Sequence, residues 1–183
     1  MEIKELNISG VYEVTLDKIS DKRGYFVRTF DINKFNDFNI SINWVQENSS
    51  YSIKKHTIRG LHMQLPPFDE TKLVRCTQGK ILDVFVDLRI NSDSFGKSGS
   101  VTLNGNNMVL IPKGFAHGFC TLEDNCSVFY KVDNFYNPSK EYGIMWNDKD
   151  LNLNWPTKKP IISDKDNTNS TLQDYIRLLN KEI

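Results

Sequence analysis

Residues 72–90 read KLVRCTQGKILDVFVDLRI. Two runs rich in β-branched and apolar residues flank Thr77-Gln78-Gly79, where glycine supplies the positive φ of a tight turn, so the stretch predicts two strands joined as a hairpin. In the second run Leu82, Val84, Val86 and Leu88 alternate with Asp83 and Asp87, which marks one apolar face by the period of two. The same pattern recurs on both sides. VYEVTL (11–16) leads through the turn-prone DKRG to YFVRTF (25–30). SVTL and MVLIP flank Asn104-Gly105, a strong turn dipeptide in a loop lengthened by Asn106-Asn107. SVFYKV (127–132) is β-branched and aromatic. Short strands at this spacing predict a mainly β sandwich or barrel.

Helical periodicity comes late. Leu172, Tyr175, Ile176 and Leu179 recur at helical spacing behind Ser170 and Gln173, a capping-box pair, which predicts one amphipathic helix over 170–181 packed on the barrel. A short helix is expected near 31–37. The polar stretch 156–169 with Pro156 and Pro160 closes the β region. The 183 residues suit a single domain, 1–183, that buries roughly 70% of its unfolded surface without a staple.

Composition removes several function classes. Lys plus Arg and Asp plus Glu both number 23, so no basic field points to nucleic acid. The opening MEIKELNISG lacks the apolar run of a signal peptide, and no stretch has the length and apolarity of a membrane-spanning helix. Cys76, Cys120 and Cys126 lack CxxC spacing and read as reduced, buried thiols of a cytoplasmic protein.

Several polar residues interrupt otherwise apolar strands: Gln46, His62, Gln64, Lys72, His117 and Tyr130. A buried polar group without a partner costs ~1–3 kcal/mol, so this many together point to a polar pocket inside a barrel. Metal ligation is one reading, because PKGFAH (112–117) matches the Pro-x-Gly-x-x-His half of a metal signature of small jelly rolls that begins with a His-x-His pair. The other half has Gln64 where a second histidine belongs, and two histidines with an amide are poor ligands for zinc or iron, so no metal is expected. Proton transfer suits the set better. A histidine supported by a carboxylate can remove a proton, a tyrosine can return one from another direction, and a lysine or histidine can hold the enolate formed in between.

These residues fall within RGYF (23–26), WVQEN (44–48), IRGLHMQ (58–64), KLVRC, DVFVDLR, IPKGFAHGF, FYKVDNFYNP, WND and ISDKD (162–166). In that order the motifs resemble the dTDP-4-dehydrorhamnose 3,5-epimerase family over nearly the whole chain. The resemblance implies a cupin-type double-stranded β-helix, a jelly-roll barrel, that works as an isomerase with no cofactor. It implies His62 as base, Asp166 as its carboxylate partner with Asp164 as the competitor for that place, Tyr130 as acid and Lys72 at the sugar. It implies ligand contacts by Arg23, Gln46, Asn48, Arg59, His117, Tyr136, Glu141 and Lys165, with Arg59 suited to diphosphate through its two-pronged guanidinium and Tyr136 to stacking on the base. Asp83 and Asp87 read as structural, Asp83 with a possible supporting place behind the site, and Phe115 and Phe119 as wall.

One position departs. The family's RGxFxE would put glutamate at 28, facing thymine, where this chain has Arg28. Arginine seeks acceptors such as guanine O6 and N7, so Arg28 raises the expectation of a GDP-linked 4-keto heptose or hexose over a dTDP sugar. The expected activity is inversion at C3, C5 or both of a nucleotide-linked 4-keto-6-deoxy sugar, for bacterial capsule or other polysaccharide synthesis. The alternatives are the dTDP-4-dehydrorhamnose 3,5-epimerase reaction proper, a 3,4-ketoisomerase, or a sugar-nucleotide-binding module without chemistry. The resemblance also implies a homodimer paired through sheet edges, covering strands such as 11–16.

Overall fold

The computed structural model describes residues 1–182. In chain order the strands are β1 (Glu2–Glu5), β2 (Tyr12–Thr15), β3 (Lys18–Asp21), β4 (Gly24–Val27), β5 (Gln46–Ser52), β6 (Ile58–Gln64) and β7 (Lys72–Gln78). They continue with β8 (Ile81–Asp87), β9 (Ser98–Leu103), β10 (Asn107–Ile111), β11 (Phe115–Thr121), β12 (Cys126–Val132) and β13 (Glu141–Gly143). Helix α1 (Ile32–Asn36) follows β4, capped by the Asp31 carboxylate accepting from the Asn33 amide, and α2 (Leu172–Glu182) ends the described chain.

The strands form a six-stranded sheet in the order β1-β2-β10-β7-β12-β5, facing a five-stranded sheet in the order β13-β6-β11-β8-β9. A separate hairpin joins β3 and β4. From β5 to β13 every link except β8–β9 changes sheet, which is the winding of a jelly roll. The hairpin expected at Thr77-Gln78-Gly79 is therefore absent: β7 pairs with β10 and β12, while β8 pairs with β11 and β9. The turn is real but arches over the core. Gly79 takes φ +77°, and a Cβ there would meet Cys126 Sγ at 2.6 Å. Asn104-Gly105 likewise carries the chain from β9 to β10 in the other sheet. Alternation with period two is common to a hairpin and to an arch, so the pattern alone does not choose between them.

The apolar face of β8 is not the barrel interior. Val84, Val86 and Leu88 pack outward with Leu172 and Tyr175 of α2. The other face, carrying Ile81, Asp83 and Phe85, points between the sheets. Leu172, Tyr175, Ile176 and Leu179 form the packed stripe of α2 as their spacing predicts. The cap is shifted by one residue from the Ser170–Gln173 pair: Thr171 Oγ1 accepts from the Asp174 amide, and the Asp174 carboxylate accepts from the Thr171 amide. Strand β2 is not an edge either, since it lies between β1 and β10.

Parity explains the pocket. On β7, Cys76 and Val74 face the core and Lys72 continues the same face; on β12, Cys126 and Val128 do so and Tyr130 follows. Interior positions are thus apolar toward one end of the barrel and polar toward the other. Burial of residues such as Phe85 and Val74 stabilises by ~1.5–3 kcal/mol each, comparable to the ~1–3 kcal/mol cost of a buried polar group left unpaired. The interior polar groups must therefore be partnered. All three cysteines are free and buried; burial pushes the Cys76 thiol up to about 12 and Cys120 to about 11, so neither is a nucleophile at neutral pH. Among the described residues no helix is long and apolar enough to cross a membrane.

Candidate active site

RGLHMQ (59–64) is strand β6, and Gly60 shapes it. Its φ is +119°, and a Cβ would meet Gly118 Cα at 2.6 Å and the His117 carbonyl oxygen at 2.7 Å. Register between β6 and β11 breaks at this point, between His117 and Phe119. The irregularity lets Arg59 and His62, which a regular strand would send to opposite faces, line one cleft of about 330 Å³.

His62 Nε2 lies 2.6 Å from Asp166 Oδ1, and Asp166 Oδ2 accepts from the Gly60 amide at 3.0 Å. Burial pushes the Asp166 carboxyl up, but the bonds from His62 and Gly60 outweigh it and hold the group below the usual carboxylate range. Asp166 is buried in a one-turn 3-10 helix, whereas Asp164 is exposed, so the partner of His62 is Asp166. A second pair lies alongside: His117 Nε2 is 2.9 Å from Asp83 Oδ2. Burial raises the Asp83 carboxyl, opposed by His117. Asp83 is thus the partner of a pocket histidine. Asp87, bonded to Arg89, Ser92 and Ser94, is structural.

The facing sheet supplies Tyr130 and Lys72. Burial raises the Tyr130 phenol, the charges of Glu70 and Glu141 add to this and Arg59 opposes it, so the hydroxyl keeps its proton at neutral pH. Lys72 Nζ lies 3.3 Å from Glu70 Oε1 and 3.4 Å from the His62 carbonyl. At the mouth, Glu141 accepts from Tyr136 at 2.8 Å and Lys165 at 2.6 Å. Burial pushes the Glu141 carboxyl up, and these bonds and the Lys165 charge bring it below its ordinary value. The Arg59 guanidinium is braced by Ser52 Oγ at 3.0 Å and the Tyr51 carbonyl at 2.9 Å.

Gln64 lines the cleft, but its polar atoms are taken up by the protein. Its amide nitrogen donates to the Phe68 and Phe135 carbonyls and to Glu70, and its oxygen accepts from the Asn137 amide. The two histidines therefore each have a carboxylate of their own, with a saturated amide where a third metal ligand would stand.

Four of the expected ligand-contacting residues lie outside the cleft. Arg23 pairs with Asp21 and Arg28 with Asp31, with side chains 84% and 67% exposed. Gln46 accepts from the Tyr136 amide at 2.7 Å, and Asn48 sits opposite Tyr130 in the β5–β12 register. Glu70, Ser50 and Ser163 line the cleft without having been singled out; Glu70 follows an apolar loop, and only its contact with Lys72 reveals it. Phe119 is cleft wall, whereas Phe115 is in the core. A larger cleft, about 970 Å³ and lined by Leu65, Leu88, Leu178 and Leu179, lies beside α2 but contains neither His62 nor His117; both histidines line the smaller one, with Tyr130 and Lys72.

Residues 5–174 match the family model described as dTDP-4-dehydrorhamnose 3,5-epimerase. The chain belongs to this family. A dTDP-4-dehydrorhamnose 3,5-epimerase of Escherichia coli K12 is 44% identical over 182 residues, 97% of this chain and 98% of the relative. The crystal structure of the Bacillus anthracis dTDP-4-dehydrorhamnose 3,5-epimerase with TDP and PPi bound superposes with TM-score 0.91 at 39% identity, covering 93% of this chain and 99% of that one. The Legionella pneumophila dTDP-6-deoxy-D-glucose-3,5-epimerase in complex with dTDP-4-keto-L-rhamnose gives TM-score 0.89 at 33% identity, covering 94% and 93%. Membership makes the chain a nucleotide-sugar epimerase, an isomerase on a cupin-type jelly roll. The expectation of a GDP-linked heptose is not supported. It rested on Arg28, whose guanidinium is engaged by Asp31 at 3.0 Å outside the cleft, and the ligands of these relatives are thymidine nucleotides.

Proposed function

We propose that the protein inverts C3 and C5 of a dTDP-linked 4-keto-6-deoxy sugar without a metal, in the synthesis of a bacterial polysaccharide sugar. The observation that carries this reading is a histidine on one sheet, paired with the Asp166 carboxylate, and a protonated tyrosine on the other sheet, within one cleft. With Nε2 donating to Asp166, the Nδ1 lone pair of His62 takes the proton from carbon, and Asp166 stabilises the imidazolium. The charge left behind moves to the C4 oxygen, where the Lys72 ammonium stabilises the enolate. Tyr130 then gives its proton to the same carbon from the opposite face, which inverts the centre. A 3,4-ketoisomerase moves its proton along one face and needs no acid on the opposite wall.

Arg59 at the cleft wall suits the diphosphate, Tyr136 the base, and His117, Glu141 and Lys165 the sugar nucleotide near the mouth. In this reading Arg23, Gln46 and Asn48 join the same ligand through a homodimer, while Arg28, held by Asp31, does not read the base. The support is the exposed apolar surface of Ile19, Tyr25 and Phe26 on the β3–β4 hairpin and the unpaired edge of β5, which a second copy would cover. The test is incubation with dTDP-4-keto-6-deoxyglucose and proton NMR of the product. Coupling constants inverted at C3 and C5 support the reading; inversion at C3 alone restricts it to one centre, and an unchanged sugar overturns it.

A further inference from the structure

The loop 65–71 between β6 and β7 is held more firmly than a connector requires. The Phe68 amide donates to the Leu65 carbonyl, and the Gln64 side chain donates back to the Phe68 carbonyl. Asn134 Nδ2 donates to the carbonyls of Pro67 and Asp69, and the Thr71 amide donates to Asp133. This lattice delivers the Glu70 side chain, only 12% exposed, into the cleft. There Oε1 lies 3.3 Å from Lys72 Nζ and Oε2 accepts from Gln64 Nε2 at 3.0 Å.

We propose that Glu70 is a positioning residue for Lys72: the carboxylate, fixed by Gln64 and the 65–71 loop, clamps the ammonium against the cleft wall in the orientation that meets the developing C4 oxygen. Two of the three ammonium hydrogens are taken by Glu70 and the His62 carbonyl, which leaves one for the substrate. The Lys72 side chain is itself only 9% exposed, and a flexible four-carbon stem carries the charge. Without the clamp, the one hydrogen bond left to that ammonium among the described residues is the long one to the His62 carbonyl, and Asp83 acts on it only through its charge. A positioned charge matters because a displacement of about 1 Å can cost roughly 10²-fold in rate. Gln64 acquires a role here too, as the brace that aims Glu70. The inference rests on the epimerase reading for the identity of the oxygen, but the clamp itself is testable without substrate.

Two measurements separate the cases. In protein labelled with ¹⁵N at lysine Nζ, the Lys72 ammonium, assigned by its disappearance in Lys72→Arg, should give a slowly exchanging signal that is lost in Glu70→Gln and retained in Glu70→Asp or shifted but visible. With dTDP-4-keto-6-deoxyglucose, Glu70→Gln should lower kcat by roughly 10–10²-fold with KM changed less than about threefold, and Glu70→Asp should restore part of kcat. A Lys72 signal equally protected in Glu70→Gln overturns the clamp. A lost signal with unchanged kcat overturns its part in turnover. Wild-type protein that shows the clamp but does not turn over the sugar counts against the epimerase reading and leaves the clamp supported.

Discussion

His62 and His117 stand directly opposite each other on the adjacent strands β6 and β11, and each is bonded to a different carboxylate, Asp166 and Asp83. The two pairs are not equivalent. The His62 side chain is 33% exposed and that of His117 is 9% exposed, with Asp83 sealed behind it. A substrate entering the cleft therefore meets an open imidazole in one pair and a largely enclosed one in the other. On this asymmetry we propose that His62 removes the proton and that His117 holds the ligand.

His62→Asn should lower turnover by roughly 10²–10⁴-fold while dTDP binding and the melting temperature stay near wild type, because the residue sits at the cleft surface. Asp166→Asn should also be slow, since it removes the charge that supports the imidazolium. Steady-state kinetics alongside calorimetric dTDP binding check both, and a His62→Asn enzyme of normal kcat would remove His62 from the mechanism.

Tyr130→Phe should separate two events that wild type couples. The base can still remove a proton and return deuterium on the same face, so exchange at carbon persists while inversion stops. Product analysis by NMR in D₂O reads the two independently. Inversion at the wild-type rate in Tyr130→Phe would place the acid elsewhere.

The strands and the α2 stripe were legible because alternation and helical spacing survive in the sequence, and α1 is found close to its predicted place. Pairing was not legible. The Thr77-Gln78-Gly79 and Asn104-Gly105 turns look identical whether the chain folds back beside itself or arches across a core, and only long-range partners such as β10 and β12 decide. Which face of β8 lines the interior was not legible for a related reason. Its more apolar side met α2, whose distance in sequence hides that contact, while Asp83 faced inward and was paid for by His117. Within the site, His62, Lys72, His117 and Tyr130 stood out as polar residues in apolar strands, but Glu70 lies in a loop where a carboxylate is unremarkable by sequence.

Acid should weaken the fold through the buried carboxylate Asp87. Burial pushes this carboxyl up, but bonds from Arg89, Ser92 and Ser94 bring it down to about 2. A folded pKa below the unfolded value of about 3.9 means that the stabilisation, about 2–3 kcal/mol, is complete above that value and drains away as pH falls toward about 2. Asp166 contributes in the same direction. Asp83, with its pKa raised, acts oppositely, favouring the fold more at low pH than at neutral pH. Urea unfolding across this range should show a loss on acidification that is reduced in Asp87→Asn, and an equally steep loss in that variant would point to other carboxylates.

Gly60→Ala should damage the site and the fold together. The added Cβ meets backbone at 2.6 Å and 2.7 Å, at a φ of +119° that an L side chain rarely adopts. The expected destabilisation is at least ~1–3 kcal/mol, with kcat reduced because Arg59 and His62 are re-aimed. Thermal unfolding and kinetics measure the two effects, and an unchanged melting temperature would contradict the packing of Gly60 against Gly118.

The most direct measurement is proton NMR of dTDP-4-keto-6-deoxyglucose in D₂O with wild-type protein and with His62→Asn. Deuterium entering at C3 and C5 with wild type, and at neither position with His62→Asn, is the predicted result. Exchange that proceeds equally in both proteins would contradict proton removal by His62.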